Sequence, residues 1–362
     1  MQTQSRKYTL ISPWFDGIFF WSALPIVLIV TGVFELFAPE MIHPGYYPLW
    51  FFLLVLLVDV SHVWWSLFRV LAAPTLSRGY RTLIAAIPII SFIVLLILAY
   101  SSQWEGFFLL FQVLALIAAY HFIKQQIGIT LLYARRDYTP QKMDHTWLRR
   151  LDKMALWMAT GIPLAYWISR SSDIDLEWFV DGEFDFLSPF FARFDLLSLV
   201  AILLSLIYIL SQMYFIKGEW YRPNPLKYLY ILMTAFIWWW GIIVYESFVI
   251  FGCGVMLLHG IAYHGLVISS VTRRKSDWSK ISRILLGIWV FLLVITLAYI
   301  EEFSWDQFVW REHANVFGDV FYTISTKDIL PIIVAGLASI QLTHYILDRY
   351  IWRKEFGEVI ER

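Results

Sequence analysis

Residues 253–275 read CGVMLLHGIAYHGLVISSVTRRK. From Cys253 to Thr272 there is no Asp, Glu, Lys or Arg, and the run then closes on Arg273, Arg274 and Lys275. About 20 mainly apolar residues at ~1.5 Å each cross the hydrocarbon of a bilayer. A basic cluster directly after such a run marks its cytoplasmic end. Yet the run also carries His259 and His264. Ionisable side chains at membrane depth are costly and mark function by default. Both properties recur along the chain, and together they decide its class.

Of 362 residues, 59% are hydrophobic and 15% charged, against about 25% charged in a soluble domain. The sequence predicts an all-α, polytopic integral membrane bundle forming a single transmembrane domain over 1–362. About ten transmembrane helices are expected, near 17–38, 48–70, 82–101, 106–130, 153–169, 194–216, 228–248, 251–272, 283–302 and 329–351. The start, MQTQSRKYTLISPWFDG, has no small-residue cleavage site after its first apolar run, so that run is expected to be a permanent span. Between the seventh and eighth spans apolar sequence is almost unbroken, and Gly252 and Gly254 are expected in a tight turn near the outer surface.

Charge orients this topology. With both termini cytoplasmic, only Arg170, Arg193, Arg311 and Lys327 of the 28 Lys and Arg fall outside. That is the positive-inside bias, and an odd number of spans would spoil it. The expected location is an integral membrane, the inner or plasma membrane if the source is bacterial. Two long outer loops are acidic. One holds Asp173, Asp175, Glu177, Asp181, Glu183 and Asp185, and the other Glu301, Glu302, Asp306, Glu312 and Asp319. They read as solvated loops with aromatic-belt anchors, or as interfacial helices. Zero net charge gives no footprint for nucleic acid. The single cysteine, Cys253, excludes an intrachain disulfide framework and a cysteine-based zinc or iron–sulfur site.

Five histidines lie inside the apolar segments: His62, His121, His259, His264 and His344. All fall on even-numbered spans. His62, His121, His264 and His344 sit three or four residues past the middle of theirs, roughly 5 Å toward the cytoplasm. One shared depth for four helices points to a common metal site, since imidazole is the commonest metal ligand among side chains. Asp59 precedes His62 by three residues and Asp348 follows His344 by four, so each carboxylate shares its histidine's helical face. Either carboxylate can be a ligand, or can accept the histidine's other ring N–H and fix its tautomer.

His259 and His264 are five apart, about 140° around an ideal helix, so both reach one small site only if the helix is distorted. Depth favours His264, with His259 serving a second metal or a neighbour. In YHFIKQQIGITLLYARR, Gln125 shares a face with His121, with Lys124 close by. Gln341, His344, Tyr345 and Asp348 form a polar stripe, and Tyr208, Ser211 and Gln212 on the sixth span are weaker polar contributors. Asp59, Gln125 and Tyr345 are the candidate catalytic groups. The metal candidates are His62, His121, His259, His264, His344, Asp59 and Asp348. His43, His145 and His313 lie in predicted loops and are expected to be solvated. Trp64, Trp65 and the run Trp238, Trp239 and Trp240 are expected to pack or to anchor at the interface.

Several neutral imidazoles with one or two carboxylates suit iron, copper or zinc better than magnesium or calcium. No HExxH, GxSxG, GxGxxG or Walker pattern is present. Three functions stay open. The first is a metal-dependent oxidoreductase or oxygenase with mono- or dinuclear non-haem iron, acting on a lipid or other apolar small molecule. The second is a bis-His haem protein. The third is a proton-coupled secondary transporter with a His/Asp midplane site and no metal. The oligomeric state is left open.

Asp59–Val60–Ser61–His62 and His121–Phe122–Ile123–Lys124–Gln125 resemble, in kind, the motifs of the membrane β-carotene dioxygenases of the Brp/Blh type. That family spreads iron-binding histidines over several helices, so the resemblance implies a multi-histidine iron site with His62 and His121 in it. The chain departs from the family in lacking its Pro-His-Gly-type segment. It also lacks the HxxxH and HxxHH boxes of ordinary membrane desaturases.

Overall fold

The computed structural model describes residues 8–39, 49–71, 78–101, 103–137, 145–171, 173–174, 178–180, 182–218, 221–273, 278–323, 325 and 328–352. These residues are overwhelmingly helical, with no strand among them. The principal helices are α1 (Ala23–Phe37), α2 (Phe51–Leu71), α3 (Arg78–Ser101), α4 (Gln103–Ala134) and α5 (His145–Ser169). They continue as α6 (Phe194–Lys217), α7 (Pro225–Val244), α8 (Phe248–Thr272), α9 (Lys280–Trp310) and α10 (Leu330–Ile351).

Among the described residues eight helices are long and apolar enough to cross a membrane, and α1 with the preceding Pro13–Trp21, bent by 47°, makes up to nine. The predicted fifth span lies in α5, which does not qualify. Its first turns carry Arg149, Arg150, Asp152 and Lys153, which leave too short an apolar stretch. Burial differs sharply between the qualifying helices. Within the most apolar window of each, 94% of α8 is buried but only 11% of α6 and 17% of α9. The exposed apolar faces of α6 and α9 are what lipid would cover, whereas α8, which carries two histidines, is a core element.

The chain divides into two compact units, residues 1–51 with 119–259 and residues 52–118 with 260–362. In the first, α5 packs on α6 and α7, and α8 on α1 and α7. Asn224 caps α7 by accepting from the Leu226 N–H, with Pro225 at the first helical position. The chain turns between α7 and α8 at Glu246, whose φ of 46° is left-handed, and Ser247 then caps α8. The turn is therefore not at Gly252 and Gly254, contrary to the sequence-based expectation. Both glycines lie inside α8, where small size permits packing: a Cβ at Gly252 would meet Phe51, and one at Gly254 would meet Ile237 and Val27.

In the second unit α10 packs on α3 and α2, and α2 also contacts α8 and α9. Trp65, Ile87, Tyr263, Val267, Val294, Leu347 and Ile351 form its core. Two π-helical turns interrupt the helices that carry polar groups, Val55–Val60 in α2 and Leu257–Ile261 in α8. Each inserts a residue and rotates the downstream part of its helix by about 100° relative to an unbroken one. At Gly260 a Cβ would lie 2.6 Å from both Cγ1 and the carbonyl oxygen of Val58. Gly260→Ala will therefore cost about 1–3 kcal/mol, the usual range for overpacking, and lower the midpoint of thermal unfolding in detergent. An unchanged midpoint would show that the two backbones part freely.

The two acidic segments are more built than solvated loops. Buried Glu183 accepts backbone N–H groups of Trp178, Phe179 and Val180 at 2.7, 3.0 and 3.3 Å. Buried Asp306 accepts from Glu312 N, His313 N and the Tyr322 hydroxyl at 3.0, 2.7 and 2.5 Å. Burial, with the hydrogen bond to Asp306, pushes the Tyr322 hydroxyl up to about 12. Asp185–Phe191 and Ala314–Phe317 add short helical turns. Asp175, Glu177 and Asp181 lie outside the described residues, as does His43. His313 is not solvated as expected. It is half-buried, stacked on Phe52 with centroids 4.4 Å apart and 3.6 Å from the Asp306 carboxylate. His145 opens α5.

Candidate metal centre

In the second unit α2 and α10 each bury one histidine. The π turn Val55–Val60 ends one residue before Ser61, and His62 comes next. Its Nε2 lies 3.2 Å from Nε2 of His344, with ring centroids 4.8 Å apart and planes at 81°. Two imidazoles bound to one ion at ~2.0–2.1 Å in tetrahedral geometry hold their nitrogens about 3.3 Å apart. The pair is thus at metal-sharing distance without any rearrangement.

Ser66 Oγ lies 2.6 Å from Nδ1 of His344, and Asp59 Oδ1 stands 3.5 Å from Nδ1 of His62, at ion-pair rather than hydrogen-bond distance. Metal-ligating histidines almost always hydrogen-bond their second ring nitrogen, as His344 does here, which fixes ring orientation and tautomer. The Tyr263 ring stands edge-on to both, 5.6 and 5.4 Å away between centroids.

The first unit contributes a similar pair. His121 on α4 and His259 on α8 have centroids 4.9 Å apart and planes at 78°. Phe122 abuts His259 at 4.3 Å, and the Gln125 side chain donates to the His259 carbonyl at 3.3 Å. That carbonyl belongs to the π turn Leu257–Ile261.

His62, His121, His259 and His344 form one buried group. A ligand atom of each lies within 4.8 Å of every other, so the group could hold a metal ion. Its donors are all imidazole nitrogens, a set that selects transition metals and zinc over magnesium and calcium. No family model, curated protein or solved structure matches this chain. What the group can do is therefore read from its own geometry.

The sequence-predicted residues take different places. His62, His121 and His344 come together, and the α8 member is His259, not the depth-matched His264. The π turn holding His259 changes the angular register of α8. His264 instead meets Ser61 Oγ through Nε2 at 3.0 Å and packs on Trp65. Asp59 stands behind His62 and Gln125 behind His259. Tyr345 is next to His344 in the chain, with centroids 5.6 Å apart, and is not in the group. Asp348 is also outside it and accepts from Trp352 Nε1 and from Tyr263.

Lys124 is exposed over the Tyr120 ring, and Gln126 accepts from Trp238 at 3.2 Å. Tyr208 and Gln212 of α6 serve other partners, Asp152 at 3.1 Å and Tyr228 at 2.6 Å. Trp65 and Trp238 are fully buried packing residues.

Three groups near the site escaped the sequence reading. Ser66 and Tyr263 resemble ordinary helix residues until α2, α8 and α10 are assembled. Glu301, assigned by sequence to a loop, is buried within α9, because that helix continues to Trp310. It accepts from Trp64 Nε1 at 2.8 Å and Gln341 Nε2 at 3.3 Å. Buried carboxyl groups are thus not confined to even-numbered spans. Two adjacent acids at the end of an apolar run were the available signal.

Proposed function

We propose that this chain is an integral membrane oxidoreductase with a non-haem iron centre held by His62, His121, His259 and His344, acting on an apolar substrate that arrives from the lipid. The observation that carries this reading is the buried four-imidazole group. Four nitrogen donors with a carboxylate, Asp59, beside one of them suit iron better than the hard cations. Bound there, iron supplies one-electron and O₂ chemistry. The chain's own contribution is to orient the rings from behind through Asp59 and Ser66, to bury them away from bulk water, and to present exposed apolar helices to lipid. The likeness in kind of the Asp59–His62 and His121–Gln125 segments to Brp/Blh-type dioxygenases supports a multi-histidine iron site.

Haem is disfavoured by the His62–His344 spacing. His62 and His344 would have to part to hold a haem iron between them, whereas at 3.2 Å they would need no movement to share a non-haem ion.

Metal analysis of protein purified without chelators tests the assignment. Near-stoichiometric iron with no Soret band is the expected result. A Soret band selects haem. Absence of any metal, together with proton-driven flux in liposomes, selects a transporter and removes the enzyme.

A further inference from the structure

His344 lies at one end of a hydrogen-bonded chain whose members all belong to the second unit. Ser66 Oγ is 2.6 Å from His344 Nδ1, and the Tyr263 hydroxyl is 3.0 Å from Ser66 Oγ. Tyr263 is in turn hydrogen-bonded to the Asp348 carboxylate, one helical turn beyond His344 on α10. Trp352 Nε1 also donates to Asp348. The Arg69 guanidinium lies 5.7 Å over the Trp352 ring and donates to Ser270. His344, Ser66 and Tyr263 are buried, whereas Asp348 is half-buried near the end of the helix.

The chemistry of the last member sets the direction of every bond before it. With Asp348 ionised, its carboxylate only accepts. Tyr263 therefore donates its single proton to Asp348, which leaves its oxygen to accept from Ser66. Ser66 then spends its own proton on Tyr263, and its oxygen accepts from His344. The histidine consequently carries its proton on Nδ1 and presents a bare Nε2, the atom that faces Nε2 of His62. At 3.2 Å that lone pair either accepts a proton from His62 Nε2 or shares a cation with it.

We infer that Asp348, acting through Tyr263 and Ser66, fixes the tautomer of His344 and so readies its Nε2 as a metal ligand. This rests on the metal-centre reading for its purpose but not for its chemistry. Ser66, Tyr263 and Asp348 are positioning residues. Asp348, singled out in the sequence as a possible ligand, acts from two hydroxyls away. In Tyr263→Phe the chain loses its middle link. Ser66 is then free to turn its proton toward His344 Nδ1, and the proton of the imidazole moves to Nε2.

Nitrogen-15 solid-state NMR of histidine-labelled, metal-free protein in lipid reads the tautomer, with His344→Ala supplying the assignment. The wild type is expected to show a protonated Nδ1 and a bare Nε2 at His344, and Tyr263→Phe and Ser66→Ala to lose that preference. Cobalt(II) titration should give roughly 10–100-fold weaker binding in both variants, the usual effect of removing an outer partner of a ligating histidine. Ser66→Thr should rescue both readings. In a His344→Ala background Ser66→Ala should cost nothing further, because its effect passes through the missing ring.

An unchanged tautomer in folded Tyr263→Phe and Ser66→Ala overturns the inference, as does a full extra loss in the His344→Ala background. A wild type that binds no cobalt overturns the metal centre alone, and the metal-free tautomer measurement still decides this proposal.

Discussion

His62→Ala will empty the metal centre while leaving a folded, membrane-inserted protein. His62 supplies one of four buried nitrogens and stands 3.2 Å from a second. Among the described residues no other imidazole of the unit replaces it, because the ring of His264 is turned to Ser61 and Trp65. Loss of an outer partner typically weakens metal binding roughly 10–100-fold, so loss of a direct ligand should exceed about 100-fold. Measured as iron or cobalt per polypeptide after dialysis, His62→Ala should fall to near zero. Its gel-filtration behaviour should match wild type, and its stability should fall by no more than the ~1–3 kcal/mol of leaving buried His344 Nε2 without this partner. His264→Ala is the matched control: an equally buried histidine on the same helix as His259, whose removal should leave metal content unchanged. Full metal content in His62→Ala, or a parallel loss in His264→Ala, would remove the assignment.

The contrast between His259 and His264 also shows where sequence stops being informative. Apolar runs, basic clusters and the depth of the histidines are properties of each segment taken alone, and they made the helices and three of the four imidazoles legible. The choice on α8 was not, because depth along an ideal helix assumes 3.6 residues per turn. The π turn Leu257–Ile261 breaks that assumption with one residue, and nothing in LLHGI distinguishes it from an α-helical turn. The same is true of Val55–Val60, which places Asp59 behind His62.

Gly252 and Gly254 misled for a related reason. Glycine signals a turn when its conformational freedom is used, but in a tightly packed core helix it signals lost volume instead, as the close approach of Phe51, Ile237 and Val27 shows. Ser66 and Tyr263 stayed invisible because their roles exist only across helices. Positive charge, read as a sign of orientation, hid a second role: Lys227, counted with the inner-side residues, is wholly buried.

Lys227→Met should be among the most destabilising single substitutions in the chain. The Lys227 ammonium meets Asp137 Oδ2 at 3.0 Å and Asp152 Oδ2 at 3.1 Å, with the Tyr221 hydroxyl as a further partner. The two carboxylates in turn hold the surrounding elements. Asp137 accepts from Tyr221 and from Asn224 N, both at 2.6 Å, and Asp152 accepts from Tyr208 at 3.1 Å. Asn224 extends the network by donating to the carbonyls of Tyr8 and Tyr133 at 2.8 and 3.1 Å. One cation thus joins the ends of α4, α5, α6 and α7 to the N-terminal segment.

Removing it takes from two buried carboxylates the one cation that pairs with them among the described residues, and breaking a buried pair from one side costs about 3–5 kcal/mol. At roughly 2–4 °C per kcal/mol for a large domain, the unfolding midpoint in detergent should drop on the order of 10 °C. Burial, only partly offset by Lys227, already holds the Asp152 carboxyl above its usual range. Asp152→Asn should therefore cost less than Lys227→Met, since it removes a disfavoured charge and keeps an acceptor for Tyr208. For the same reason Lys227→Met combined with Asp152→Asn should be less damaging than the sum of the two changes. A midpoint for Lys227→Met within about 2 °C of wild type would mean that the carboxylates take up protons or find other partners at little cost, and the network would then be incidental to stability.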